Sequence, residues 1–117
     1  AYARERGVIV IAAAGNFGSD ALYYPAAFSG VLAVGSIDPD LSRSSFSNYG
    51  DYVSVYAPGR DVLTTALNGN YVFESGTSFS APLVAGVTAL NETLGIPLST
   101  ENDLVIAYPP DIVQQCN

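Results

Sequence analysis

The residues of this chain with the clearest chemical potential lie where a serine follows a glycine and a threonine. A β-rich segment precedes Gly76, Thr77 and Ser78, and small and branched apolar residues follow them. These apolar residues predict a helix over residues 80–94, which should be buried because it is apolar on all sides. A serine nucleophile needs exposure and N–H donors for the charge that develops on its substrate, and a helix start offers such donors. Ser78 is therefore a candidate nucleophile. Helix capping by Ser78 or Ser80 is the commoner role of such serines.

Several strands precede that helix in the sequence and must position the serine. Residues 8–14 form a continuous apolar run, typical of a parallel strand buried on both faces. Residues 31–36 and 52–57 predict two further strands of this kind. Segments 62–66 and 71–75 flank an Asn-Gly pair and predict a hairpin. The pattern predicts an α/β fold in which a parallel sheet and a hairpin lead to the helix.

The composition limits the class of protein. The chain has 117 residues, 49% of them hydrophobic and only 13% charged, and its mean hydropathy is +0.27. An average soluble domain carries about 25% charged residues, so we expect either that something outside this chain covers much of its surface or that the chain is part of a larger body. The net charge of −7 argues against a nucleic-acid partner. No apolar run approaches the roughly 18 residues of a membrane span.

Residues 76–86 read GTSFSAPLVAG, which closely resembles the nucleophile motif of the subtilisin-like serine proteases. In that family Gly-Thr-Ser is followed by a variable residue, two small residues and proline, and then by Val-Ala-Gly after one more position. The resemblance implies a truncated, parallel-sheet subtilisin-like fold and a serine endopeptidase that forms an acyl-enzyme on Ser78. It also implies substrate-binding roles for Gly76 and Thr77. We expect Pro82 in the first helical turn, where its missing N–H costs nothing.

A second motif concerns the oxyanion. Residues 12–16 read AAAGN and resemble the family's oxyanion segment, in which Asn16 aligns with the side-chain donor and Gly15 with a substrate-binding position. Taken alone, Asn16 would more simply be a residue that tolerates a left-handed turn after a strand. In the geometry that the resemblance implies, the Asn16 amide and the Ser78 backbone N–H hold the oxyanion.

The resemblance also implies a specificity pocket. Tyr24 and Pro25 resemble the family's Tyr-Pro turn, and a cis bond costs little before proline, so we predict a cis Tyr24–Pro25 peptide. Phe17 and Tyr23 would lie near the rim of the pocket for the residue before the cut, as substrate-binding residues.

The resemblance extends from residue 5 to residue 95 and includes SFSNYG at residues 45–50 and APG at residues 57–59. We therefore predict that residues 1–95 are the C-terminal portion of a catalytic domain. Residues 96–117 no longer match and are predicted to be a divergent C-terminal tail.

The chain departs from the family in its catalytic base. It contains no histidine, and none of its aspartates matches the family's catalytic Asp motif. The chain alone is therefore expected to be inactive and to need the missing N-terminal part as a partner. Residues 1–7 resemble the end of a helix closed by Gly7, and a start inside a helix favours a truncated domain. Strands 8–14 and 31–37 should then lack a neighbour on at least one edge. The alternatives are a catalytically dead binding or scaffold module, or a piece that needs a complementing chain.

Metal and cofactor predictions follow from the same comparison. Many relatives bind a cation through an aspartate two residues before the position of Tyr56, where this chain has Ser54, a poor calcium ligand. We expect no metal at this site and no cofactor. Asp38 and Asp40 indicate turn chemistry rather than a site. The expected partner is a polypeptide substrate, and secretion is expected from the habit of the family.

Overall fold

The structure, a computed structural model, describes residues 2–95 of the chain. A short 3-10 turn at Arg4–Arg6 is closed by Gly7, as predicted. The strands and the helix that follow are β1 (Val10–Ala13), β2 (Val31–Ile37), β3 (Val55–Pro58), β4 (Val62–Thr65), β5 (Tyr71–Glu74) and α1 (Thr77–Leu94). The predicted tail, residues 96–117, lies outside the described residues.

The first three strands form a parallel sheet in the order β1-β2-β3. Val10 pairs with Val31, and Val34 pairs with Val55. The predicted α/β architecture with a parallel sheet is confirmed. The prediction that residues 31–37 lack a neighbour along one edge is wrong, because β2 lies between β1 and β3. In the described part of the chain β1 has one strand neighbour, as predicted for residues 8–14.

Residues 33–37 of β2 are buried on both faces of the sheet, as predicted for this strand. Helix α1 covers one face of the sheet and packs against all three strands. Val34 and Ala57 on this face form the core with Val84 of the helix. The prediction that the first strand is buried on both faces is wrong for the described residues: β1 is half-buried, and Val8 before it is 53% exposed. An apolar run shows that a strand can be buried, but its neighbours decide whether it is.

Helix α1 begins at Thr77, three residues earlier than predicted, and it is not buried all round. Its buried side chains are spaced three or four residues apart and so form a single face: Thr77, Ser80, Val84 and Thr88. Leu90 and Leu94 are 63% and 68% exposed. Because the helix begins early, Pro82 lies in its second turn rather than its first, and the i→i−4 hydrogen bond to the Ser78 carbonyl is lost.

A two-stranded antiparallel sheet, β4 with β5, precedes the helix and confirms the predicted hairpin. Its loop contains Asn68 and Gly69 with φ angles of 60° and 73°. Asparagine and glycine adopt this left-handed conformation at little cost, which explains why the pair marks a hairpin. The third predicted strand begins later than expected, at Val55 rather than Tyr52, because a turn precedes it in which the Val53 N–H donates to the Gly50 carbonyl.

Candidate active site

Two segments that are far apart in sequence meet at the carboxyl end of β1. The loop after β1 begins with Ala14 and Gly15, both buried, and the start of α1 lies against it. The Gly15 N–H donates to Thr77 Oγ1 at 3.2 Å. Gly15 has a φ of 110°, and a Cβ at this position would lie 2.5 Å from Asn48 Nδ2. Glycine is therefore required at this junction by both its backbone conformation and the close approach of Asn48.

The Asn16 side chain is oriented by the residue that precedes the candidate nucleophile. Asn16 Oδ1 accepts hydrogen bonds from both the backbone N–H and the hydroxyl of Thr77, each at 2.9 Å. Because an N–H must face an acceptor, this contact fixes which atom of the amide is oxygen. The Nδ2 group then points away from Thr77 and lies 3.4 Å from where a Cβ of Gly76 would be. Within residues 2–95, Nδ2 has no hydrogen-bond partner.

Ser78 occupies the first turn of α1 and is exposed. The neighbouring N–H groups of this turn are all bonded: Gly76 N–H to the Gly59 carbonyl, Thr77 N–H to Asn16, and Phe79 N–H to the Gly76 carbonyl. The Ser78 N–H has no acceptor in the described part of the chain. A helix start leaves such donors for side chains, water or ligands. An exposed hydroxyl, its own N–H and the Asn16 amide therefore lie within one small region.

The start of α1 is held on the end of β3 rather than capped by a serine. Ser80 Oγ donates to the Ala57 and Pro58 carbonyls at 2.9 and 3.1 Å. The residue that caps α1 is Gly76, and no side chain caps the helix. The capping interpretation of Ser78 and Ser80 is therefore wrong. Ser80 joins the helix to the sheet, and the Ser78 hydroxyl is left exposed.

Phe17 and Tyr23, which sequence reasoning placed at the pocket rim, form an aromatic pair with ring centroids 5.5 Å apart. Phe17 is 73% exposed and Tyr23 is 40% exposed. The Tyr24–Pro25 peptide bond is cis, as predicted. The structure thus brings Gly15, Asn16, Gly76, Thr77 and Ser78 together and places the two rings in the loop beside them.

The acidic residues between β2 and β3 take part in turns. Asp40 Oδ1 accepts from the backbone N–H and the hydroxyl of Ser42 at 3.0 and 2.7 Å. Asp38 forms an ion pair with Arg60 at 2.7 Å and also accepts from the Ser44 hydroxyl. The hydrogen bond from Arg60, followed by that from Ser44, lowers the pKa of Asp38 below its ordinary value. The predicted structural role of Asp38 and Asp40 is confirmed.

Ser54, which occupies the position of a metal-binding aspartate in many relatives, bonds to the neighbouring strand. Its Oγ accepts from the Ala33 N–H at 3.2 Å, and its own N–H donates to the Ala33 carbonyl at 2.9 Å. Among residues 2–95, no three or more histidine, cysteine, aspartate or glutamate side chains cluster as metal ligands would. That no metal binds here stays a prediction.

Sequence reasoning missed two residues that hold the loop after β1. Asn48 and Tyr52 both donate to the Ala14 carbonyl, at 3.1 and 2.9 Å. Asn48 belongs to the SFSNYG segment that the sequence had singled out, but no local pattern indicated that its side chain contacts a loop more than 30 residues earlier.

An exposed serine hydroxyl beside two N–H donors that have no acceptor within residues 2–95 is the arrangement that acyl transfer through a serine requires. The subtilase family matches residues 1–104, and the chain belongs to that family. It is similar to a thermophilic serine proteinase from Bacillus sp. (strain AK1) and to thermitase from Thermoactinomyces vulgaris. Both relatives are 46% identical to it over 94 residues, which is 80% of this chain.

The chain spans only a minor part of these relatives: 23% of the Bacillus proteinase and 34% of thermitase. The chain also matches only part of the length of similar solved structures. The prenylagaramide maturation protease PagA matches with a TM-score of 0.73 and 38% identity over 84% of this chain and 38% of that one. The self-cleaved protease domain of PatA matches with a TM-score of 0.74 and 40% identity, over 80% of this chain and 38% of the PatA chain. In residues 2–95 no helix is long and apolar enough to cross a membrane.

Proposed function

We propose that this chain is the nucleophile-bearing C-terminal part of a serine endopeptidase catalytic domain. The observation that carries the proposal is the pair of unbonded donors, Asn16 Nδ2 and the Ser78 N–H, beside the exposed Ser78 hydroxyl. Nothing in the local fold requires these donors to remain unpaired, whereas an oxyanion that forms during acyl transfer requires both. In this proposal residues 1–95 belong to the catalytic domain, and residues 96–117 form a divergent tail.

The proposed reaction is peptide-bond hydrolysis in two steps. The Ser78 Oγ attacks the scissile carbonyl carbon while a base takes its proton, and the carbonyl oxygen becomes an oxyanion held by Asn16 Nδ2 and the Ser78 N–H. Collapse of this intermediate returns the proton to the departing amine and leaves the acyl group on Ser78. Water then attacks the acyl-enzyme, and the acid product leaves.

The base and its orienting carboxylate come from polypeptide outside this chain. The sequence contains no histidine, and the chain spans only about a quarter to a third of the relatives described above. Among the described residues one edge of β1 is unpaired, and Val8 and Ile9 before it are 53% and 42% exposed, which offers a place for that polypeptide to pack. We therefore expect the isolated chain to be inactive and the full-length polypeptide to be active.

The proposed substrate is an extended polypeptide whose side chain before the cut contacts Phe17 and Tyr23. Gly15, Gly76 and Thr77 surround Asn16 and Ser78 but are buried, so in this proposal they support the substrate-binding surface from below. Secretion is part of the proposal and rests on the habit of the family. A signal sequence at the start of the full-length polypeptide would support it.

The test is hydrolysis of a chromogenic peptide by the full-length polypeptide that contains this chain. We expect Ser78→Ala to abolish hydrolysis without lowering the melting temperature, because the hydroxyl is exposed. Ser29→Ala, which changes another exposed serine, is the matched control and should retain activity. Peptide binding without hydrolysis in the unmodified full-length protein would support the alternative, a binding or scaffold module, and would refute the proposal.

A further inference from the structure

Asn48 is the largest of the fully buried polar side chains in the described part of the chain, with 1% exposure, and it lies outside the catalytic motif. It sits in the loop between β2 and β3, and the loop after β1 wraps around it. Asn48 Nδ2 donates to the Ala14 carbonyl at 3.1 Å, and Oδ1 accepts from the Phe17 and Ser19 N–H groups at 2.9 and 3.4 Å. Its backbone N–H also donates to the Gly15 carbonyl at 2.9 Å.

These contacts bracket Asn16 on both sides. Ala14 and Gly15 precede Asn16, Phe17 and Ser19 follow it, and all four bond to Asn48 while Asn16 itself does not. The Gly18 N–H adds a bond to the Phe46 carbonyl at 2.8 Å in the same loop as Asn48. Asn48 thus bonds to the backbone on both sides of the oxyanion donor. Thr77 accepts from the Gly15 N–H and orients the Asn16 amide itself.

We propose that Asn48 is the positioning residue for the oxyanion donor, acting through the backbone that carries Asn16. The inference rests on the proposed function, since it assigns a role in the same reaction. A donor must lie 2.7–3.1 Å from the oxyanion to be effective, and a misplacement of about 1 Å can cost 10²-fold in rate. Asn48 is not a catalytic residue, because it touches neither the substrate nor the reacting atoms.

The hydrogen-bond pattern requires asparagine rather than a residue of similar size. The Ala14 carbonyl needs a donor, and the Phe17 and Ser19 N–H groups need an acceptor, so the side chain must offer both from neighbouring atoms. Aspartate supplies the acceptor but places a second oxygen against the Ala14 carbonyl. Alanine supplies neither and leaves the Phe17 N–H without a partner. The Tyr52 hydroxyl still serves the Ala14 carbonyl in both variants.

The experiment compares Asn48→Ala with Asn48→Asp in the full-length polypeptide, each alone and combined with Asn16→Ala. Asn70→Ala, which changes an exposed hairpin asparagine, is the control. We expect Asn48→Ala to lower kcat by about 10- to 100-fold, below the roughly 10²–10³-fold loss that follows deletion of an oxyanion donor in subtilisin, a member of this family. The kcat of Asn48→Asp should lie between that of Asn48→Ala and that of the unmodified protein.

Non-additivity separates positioning from stability. If Asn48 acts through Asn16, then Asn48→Ala should lower kcat by less than about 3-fold once Asn16 is alanine. A purely structural residue would lower the melting temperature and leave kcat of the folded enzyme unchanged. A kcat within about 3-fold of the unmodified value in folded Asn48→Ala, or full multiplication of the two losses, overturns the proposal. If Asn48→Ala does not fold, the same criteria apply to Asn48→Asp.

Hydrogen exchange gives a readout that does not depend on activity. We expect Asn48→Ala to raise amide exchange across residues 14–19 and to leave α1 unchanged, because the loop loses its anchor while the helix keeps its bonds to β3. Unchanged exchange across residues 14–19 overturns the positioning role. Absence of hydrolysis by the unmodified full-length protein would refute the proposed function separately, and the exchange result would still decide whether Asn48 orders this loop.

Discussion

Two buried threonines on one face of α1 give a matched test of the hydrogen bonding at the site. Thr77 is fully buried, and its hydroxyl donates to Asn16 Oδ1 and accepts from the Gly15 N–H. Thr88 is 4% exposed, and its Oγ1 has no hydrogen-bond partner within residues 2–95. Valine replaces either hydroxyl with a methyl group of similar size, so Thr77→Val and Thr88→Val change hydrogen bonding with little change in packing.

The expected effects have opposite signs. Thr77→Val loses the bond to Asn16 and leaves the buried Gly15 N–H without an acceptor, so the free energy of unfolding should fall by about 2–4 kcal/mol. Thr88→Val removes a buried hydroxyl that has no partner in the described residues, so the free energy of unfolding should stay constant or rise by about 1 kcal/mol. Thr77→Val should also lower kcat, because the Asn16 amide keeps only its bond to the Thr77 N–H.

The assay is urea unfolding of the full-length polypeptide, with Ser78→Ala present in every sample to prevent self-digestion. Activity is measured separately in proteins that retain Ser78. Equal losses of stability in the two variants would refute the reasoning, because the two buried hydroxyls differ chiefly in their hydrogen bonding. A neutral Thr77→Val would show that its hydroxyl does not hold Asn16 in solution.

Two further predictions concern one contact beneath the site and one ion pair elsewhere in the fold. In Gly59→Ala the new Cβ would collide with Ser80 Oγ and lie 2.8 Å from the Gly76 carbonyl oxygen. The free energy of unfolding should therefore fall by about 1–3 kcal/mol, and the melting temperature should fall with it. An unchanged melting temperature would contradict this prediction. The Arg60 hydrogen bond lowers the pKa of Asp38 in the folded state below its ordinary 3.8. The ionised Asp38 therefore stabilises the folded state fully above pH 3.8, and this stabilisation is lost as the pH falls through the lowered pKa. Asp38→Asn should flatten the pH dependence of the melting temperature below pH 3.8, and an unchanged acid slope would contradict the prediction.

Local patterns predicted the elements of the fold well where the chemistry is local. The Asn-Gly pair indicated the hairpin because both residues adopt left-handed backbone conformations. The apolar run at residues 31–36 became β2, which runs through Ile37. The motif at residues 76–86 marked the turn before α1. These predictions needed only the preferences of a few adjacent residues.

The errors arose where burial depends on distant partners. The apolar run at residues 8–14 resembles a strand covered on both faces, yet β1 is half-buried, because burial depends on the elements that pack on a strand and not on its own residues. The helix looked apolar all round, but only the face with Ser80 and Val84 is buried. Pro82 fell in the second turn because the helix starts at Thr77, ahead of its apolar run.

In the candidate site, too, residues in local motifs were predicted and a residue with distant partners was missed. Ser78 and Asn16 were found through motifs, and the structure places their segments together through Thr77. Asn48 was missed because its partners lie 29 to 34 residues earlier in the sequence. A side chain that satisfies several backbone groups at once can be recognised only after the chain has folded around it.

The central claim is that Ser78 is a nucleophile with its oxyanion donors in place and its base supplied from elsewhere. Fluorophosphonate labelling, followed by peptide mapping, tests it on two samples: the full-length polypeptide and the isolated 117-residue chain. We predict labelling at Ser78 in the full-length polypeptide and essentially none in the isolated chain. Rapid labelling of the isolated chain, or labelling of the full-length polypeptide at another serine, would contradict the claim.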